Sequence, residues 1–192
     1  GWFDRYLTWM TTHEYGQAER DAKNNHGTCW VMQVAQFARY TGDRRLVDDC
    51  SERYKTVLLP NQLAPDGSFP LELKRTKPYS YSLFNLDAMA AICQIVSTPR
   101  DDLWTFRLDD GRGMRKAMEF MAPYIADRNS WPHPADVQYF EDFPVRQPSL
   151  LFAGLAYAEP RYLELWRKLN PDPTVGEVIR NYPVRQPVLW VA

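Results

Sequence analysis

Apolar residues recur every three or four positions along much of this chain, the period of an amphipathic helix. Trp2, Phe3, Tyr6, Leu7 and Met10 make one such stripe and predict a helix over residues 2–10. Residues 11–23 are polar with little period, and read as a loop holding a short helical piece. Trp30, Val31, Val34, Phe37 and Ala38 predict a helix from residue 25 to 40, closed by Thr41-Gly42-Asp43. Leu46, Val47, Cys50, Tyr54, Val57 and Leu58 predict the next, over 44–58. Two helices joined by so short a turn make an αα-hairpin.

The period fails between Pro60 and Pro78. Asp66-Gly67 signals a turn, and Phe69, Leu71 and Leu73 then alternate with polar neighbours. That alternation predicts a short strand or extended arm, which Pro70 keeps out of a sheet centre. The arm ends in Lys74, Arg75 and Lys77, a basic patch that reads either as a solvated loop or as a local anion clamp. Leu83, Leu86, Ala90 and Cys93 predict a helix over 79–96, with Tyr81 near its start and Asn85 one turn on. Another helix is expected over 114–126, and three shorter ones over 149–158, 161–169 and 175–180. A long irregular stretch, 127–148, opens with Trp131-Pro132-His133-Pro134. It reads equally as a site rim or as a proline-stiffened connection. Val145-Arg146-Gln147-Pro148 recurs as Val184-Arg185-Gln186-Pro187, a weak hint of repeated hairpins. The expected fold class is therefore all-α: helical hairpins in series with one short extended arm, packed as a solenoid or a closed toroid.

Composition narrows the function. The 192 residues can bury a substantial core. A net charge of -1 gives no global field to draw nucleic acid or an anionic membrane surface, so any attraction for a polyanion must be local. No apolar run is long enough for a membrane span. Seven Trp and eleven Tyr read first as core residues, and such a surplus also suits stacking against flat ligands such as sugar rings. Cys29, Cys50 and Cys93 fall among apolar neighbours and read as buried thiols, while His13, His26 and His133 lie too far apart for ordinary metal spacing. No metal or cofactor is expected. Gly1 reads as a cut inside a longer protein.

Candidate chemistry gathers at Lys23-Asn24-Asn25-His26-Gly27-Thr28-Cys29-Trp30. Asn24 or Asn25 is a natural N-cap, which puts His26 in the first helical turn. Trp30 and Gln33 follow at four and seven residues, on the same helical face as His26. The stretch is either a capped helix start with an exposed histidine or a set of polar donors backed by an aromatic wall.

These residues, together with Phe69-Pro70-Leu71-Glu72-Leu73-Lys74-Arg75 and Tyr81-Ser82-Leu83-Phe84-Asn85, resemble the alginate lyase family of polysaccharide lyases. The resemblance covers most of the chain. It implies an (α/α) toroid crossed by a long cleft, incomplete here, because the family domain is longer and its N-terminal hairpins would precede residue 1. Residues 1–192 are thus expected to form a single domain. Asn25 and His26 match the family's Asn-His pair, Arg75 its active-site arginine, and Tyr81 its catalytic tyrosine, with Tyr79 a near neighbour in a different register. Where better-known alginate lyases have Tyr-His, this chain has Tyr81-Ser82, which points to a sister group such as the glucuronan lyases.

What the resemblance implies is β-elimination on a uronic-acid polymer, polymannuronate or glucuronan, without a cofactor. Asn25, His26 and Arg75 would neutralise the uronate carboxylate, and tyrosine would serve as base and then acid. Trp30, Gln33, Lys74, Tyr79, Asn85, Trp131 and His133 are the expected substrate-binding residues, with Trp30, Trp131 and Tyr79 as stacking surfaces. The resemblance also implies export to the periplasm or beyond the cell. Two alternatives stay open. A glycoside hydrolase on a similar toroid needs two facing carboxylates, for which Asp66, Glu72 and Asp87 are available. A non-catalytic carbohydrate-binding helical domain needs neither set.

Overall fold

The computed structural model describes residues 1–191, and the fold is organised around one helix that is buried on all sides. In chain order the α-helices are α1 (Trp2–Thr12), α2 (Glu14–Asp21), α3 (Asn25–Thr41), α4 (Arg44–Arg53), α5 (Leu59–Gln62), α6 (Pro70–Leu73), α7 (Pro78–Val96), α8 (Met114–Ala126), α9 (Pro148–Ala156), α10 (Pro160–Lys168) and α11 (Gly176–Arg180). In α7, 16 of 19 residues are buried, so its apolar pattern wraps the whole cylinder rather than one stripe. Helix α3 packs along it, α4 packs on α3, and α8 and α9 cover its other flanks. Successive helices pack as pairs, α1 with α2, α3 with α4 and α9 with α10, around a common core. It is an all-helical arrangement of the α/α-toroid type.

Local chemistry explains most helix ends. Asn24 caps α3 by accepting from the His26 N–H, and Gly42 closes it in the left-handed conformation at φ 82°. Asp43 caps α4 by accepting from the Leu46 N–H. The helix predicted over 44–58 runs on as a π-helical turn, Tyr54–Leu58, into α5. Pro60 lacks the N–H that the α-helical ladder would use there, and the Leu59 N–H reaches back five residues to Tyr54 O.

Three expectations are corrected. Residues 11–23 are not mainly loop: α1 extends to Thr12, and His13 caps α2 by accepting from the Tyr15 N–H. The extended arm is a short helix, α6, with Pro70 in its first turn, where a missing N–H costs nothing. The alternation misled because Glu72, read as an outward polar position, is buried. Among the described residues the only bridge pairing is the isolated Arg107–Gly113 contact. The second copy of Val-Arg-Gln-Pro leads into a single 3-10 turn, Pro187–Trp190, rather than another hairpin.

The long stretch between α8 and α9 is a tightly bonded connection. Asp136, itself buried, accepts from the Tyr79 and Ser80 N–H groups at 2.8 and 2.9 Å and so caps α7 from a distance. Val137 N–H donates to Thr76 O at 3.1 Å. These bonds hold the segment against the turn between α6 and α7. All three cysteines are free, and burial pushes each thiol up to about 12.

Candidate active site

The start of α3 meets the end of α6 through one carboxylate. A helix begins with N–H groups that have no partner in their own helix. For α3 the Asn25 N–H is one of these, and it donates to Glu72 Oε1 at 2.8 Å. The Asn25 side-chain amide donates to Glu72 Oε2 at 2.9 Å. Both residues are buried. Burial pushes the Glu72 carboxyl above its ordinary range, opposed by the Asn25 bonds and by the charges of Arg75 and His26. The positive end of α3 also favours a negative group at this point.

Beneath this contact lies a buried polar floor. Thr28 Oγ1 and Asn85 Nδ2 both donate to Gln62 Oε1 at 2.9 Å, and Gln62 Nε2 donates to Asn24 O at 3.0 Å. Residues from α3, α5 and α7 therefore fix the turn that presents Asn25 and His26. Gly27 completes the turn by being small. A Cβ there would stand 2.3 Å from Ala22 O, a backbone atom that cannot step aside.

His26 is exposed at the rim. Its Nδ1 lies 2.7 Å from Glu19 Oε2 on α2. A carboxylate only accepts, so Nδ1 carries a proton and donates it to Glu19. Arg75 reaches the same cluster from the end of α6, with Nη1 3.9 Å from Glu72 Oε2 and its guanidinium carbon 4.3 Å from the centroid of the Tyr81 ring. The half-buried Tyr81 sits in the first turn of α7. Asn25, Glu72, Arg75 and Tyr81 thus form one continuous chain of contacts, with His26 beside Asn25 on the same helix turn.

The two tyrosines part company here. Tyr79 is fully buried, and its hydroxyl donates to Tyr124 O at 2.8 Å. Its ring meets Trp131 and Phe140 edge-on. Burial pushes its phenol pKa up, and no face of the ring is left for a sugar. Of the pair, Tyr81 is the one within reach of Arg75.

Several expected substrate contacts turn out to be structural. Trp30 is buried, and its Nε1 donates to Met10 O at 3.0 Å, tying α3 to α1. Gln33 is half-buried and bonds to Cys29 O of its own helix. Asn85 belongs to the buried floor. Trp131 is packed among Tyr79, Phe120, Tyr124 and His133, and its Nε1 donates to Pro134 O. His133 leans on Trp131 and has no contact with the Asn25 cluster. Neighbouring elements cover Trp30, Asn85 and Trp131, while Gln33 and His133 stay half-buried. Lys74 is exposed and makes no ion pair among the described residues, so it alone of that set stands open beside Arg75. Lys77 is paired with Glu177 of α11 at 2.8 Å.

The acids considered for a hydrolase do not face one another. Asp66 accepts from the Ser68 N–H within its own turn, Glu72 is bonded to Asn25 through both oxygens, and Asp87 is buried against Ser149. Among the described residues no three His, Cys, Asp or Glu side chains converge to hold a metal, and no helix is long and apolar enough to cross a membrane. A groove of about 620 Å³ between α8 and α10 shares no residue with the Asn25 cluster.

Known proteins supply independent comparisons. A family model described as alginate lyase matches residues 1–131. The match takes in every residue of the contact chain from Asn25 to Tyr81. A crystal structure of an alginate lyase from Bacteroides ovatus resembles this fold with a TM-score of 0.77 at 30% identity, covering 94% of this chain and 48% of that one. The chain thus spans about half the length of that relative. Comparison with curated proteins finds no match. The agreement of family model, fold and identity, reached over the segment that builds the cluster, places this chain in the alginate lyase family.

Proposed function

We propose that this protein is a polysaccharide lyase that cleaves a uronic-acid polymer by β-elimination at the Asn25–Glu72–Arg75–Tyr81 cluster. The observation that carries the reading is that cluster itself: amide and guanidinium donors and an imidazole gathered beside a half-buried phenol. The hydrogen on C5 of a uronate is barely acidic while its carboxylate keeps full charge. Donors from Asn25 and Arg75 on that carboxylate, joined by His26 Nε2 when the imidazole carries both protons, stabilise the charge that builds as the proton leaves. The base is Tyr81 in its phenolate form: its oxygen takes the C5 proton, the C5 electron pair forms the C4=C5 double bond, and the C4–O bond breaks. The same phenol returns the proton to the departing oxygen, so atoms and charge balance.

One phenol can serve both steps only if the C5 hydrogen and the C4 oxygen lie on the same side, as they do in β-linked mannuronate and glucuronate. Polymannuronate and glucuronan are therefore the proposed substrates. Lys74, open beside Arg75, adds local positive charge for an anionic chain. A polymer of this kind is met outside the cytoplasm, so the proposed location is periplasmic or extracellular. The chain is proposed to act as one domain.

The test is to mix the protein separately with polymannuronate, polyguluronate and glucuronan and follow the ultraviolet absorbance of the unsaturated uronate. A rise with polymannuronate or glucuronan that Tyr81→Phe abolishes is the expected result. New reducing ends without that absorbance would replace the lyase by a hydrolase. Binding without any product would leave a non-catalytic carbohydrate-binding domain.

A further inference from the structure

Both oxygens of the Glu72 carboxylate go to one residue. Oε1 accepts from the Asn25 backbone N–H at 2.8 Å and Oε2 from the Asn25 side-chain amide at 2.9 Å. The Glu72 side chain is 1% exposed. Capping a helix start needs only one acceptor, and neutral side chains supply it routinely. Holding a carboxylate out of water is costly unless its bonds are complete. The second bond fixes something the first does not, the rotation of the Asn25 amide about its terminal side-chain bond.

A carboxylate accepts and never donates, so it selects the Nδ2 edge of that amide and rejects the Oδ1 edge. One Nδ2 proton is committed to Glu72, and the other is held in a set direction. The same Oε2 lies 3.9 Å from Arg75 Nη1. A single buried carboxylate therefore orders two donors of the cluster, on α3 and at the end of α6.

Building on the lyase reading, we propose that Glu72 is a positioning residue for the reaction. It chooses which edge of the Asn25 amide meets the uronate carboxylate, and it keeps Arg75 within reach of that carboxylate. Glu72 itself touches neither the substrate nor the reacting atoms, because Asn25 covers both of its oxygens.

Glu72→Gln is the discriminating variant, because it keeps the size of the side chain and an acceptor for the Asn25 backbone N–H. Its new amide nitrogen then faces Asn25 as a donor and turns the Asn25 amide over, Oδ1 inward. A purely structural glutamate would be replaced with little effect. The expected result is a melting temperature within a few degrees of the unsubstituted protein and a moved Asn25 side-chain amide signal in nitrogen-15 spectra. With the responsive uronate polymer, KM stays within about threefold while kcat falls on the order of 100-fold, as for a displaced oxyanion donor.

A second variant pair guards against misfolding. Asn25→Asp alone sets two carboxylates against each other and should destabilise the protein. Adding Glu72→Gln restores a donor–acceptor match and should recover the melting temperature, with turnover still lost because an acceptor stands where the donor was. Near-normal kcat in Glu72→Gln, or full turnover in the double variant, would overturn the positioning role and leave the lyase reading intact. Failure of the unsubstituted protein to form unsaturated product from any of the three polymers would remove both.

Discussion

The Arg75 guanidinium carbon stands 4.3 Å from the centroid of the Tyr81 ring, while one of its nitrogens lies 3.9 Å from Glu72 Oε2. Arginine can do both because its charge is spread over a rigid plane with donors on several edges. A lysine would keep the charge and lose the plane. Arg75→Lys is therefore expected to lower kcat/KM on the order of 10- to 100-fold. Its melting temperature should hardly move, since the side chain is about one-third exposed. Steady-state rates beside a melting curve check both halves.

Tyr81 and Tyr79 should respond oppositely to loss of a hydroxyl. Tyr81→Phe removes the proposed proton carrier and should lower kcat by about 10²- to 10⁴-fold with polymer binding kept. Tyr79→Phe removes a buried bond to Tyr124 O, worth about 1 kcal/mol or about 2–4 °C in a chain of this size. Its turnover should stay near normal. The reverse pattern would transfer the catalytic role to Tyr79.

Glu19 holds His26 by Nδ1 at 2.7 Å, yet both side chains are about half exposed. Exposed pairs of this kind contribute only about 0–1 kcal/mol to stability. Glu19→Ala should leave the melting temperature unchanged and release the imidazole to rotate. Turnover is then expected to fall several-fold, measured with the same polymer that responds to Tyr81→Phe.

Gly27→Ala should harm the site through the backbone. The added methyl would press on Ala22 O at 2.3 Å and force the first turn of α3 away from the end of α2. Overpacking of this sort costs about 1–3 kcal/mol, and here it also displaces Asn25 and His26. Both melting temperature and kcat should drop, in contrast to Glu19→Ala.

Asp87 should make stability depend on pH. Burial raises its carboxyl from the ordinary 3.8 to about 7, opposed by its bond to the Ser149 N–H at 3.2 Å. A carboxyl raised in the folded state adds stability that is fully present below the unfolded pKa and is lost as pH climbs through about 7. Burial raises the Glu72 carboxyl in the same direction. The melting temperature should fall as pH rises from about 4 to beyond about 7. Asp87→Asn should flatten that fall, and thermal melts across pH decide it.

Much of the fold was legible because helices announce themselves locally. The stripes of Val31, Val34 and Ala38 in α3 and of Met114, Ala117, Met118 and Met121 in α8 are core faces, as their spacing requires. The Asn24 cap, the Gly42 stop and the placing of His26 in the first turn of α3 depend on a few neighbouring residues, and sequence suffices for them. Alternation over Phe69–Leu73 gave the wrong element because five residues hold little periodic information and Glu72 points inward.

The sequence by itself determined the long helices α3, α7 and α8, where α3 begins, and that Asn25 and His26 stand together at its start. Tertiary structure alone decided which side chains near them face solvent. Tyr79 and Tyr81 are two positions apart on one helix, and the docking of α8 and of the 127–147 segment on α7 buries the first and leaves the second beside Arg75. Glu72 is 47 residues from Asn25 along the chain, and no local pattern marks it as the acceptor for that amide. Helical period is set by backbone geometry within a turn, whereas burial and bonding partners are set by whichever elements arrive from elsewhere in the chain.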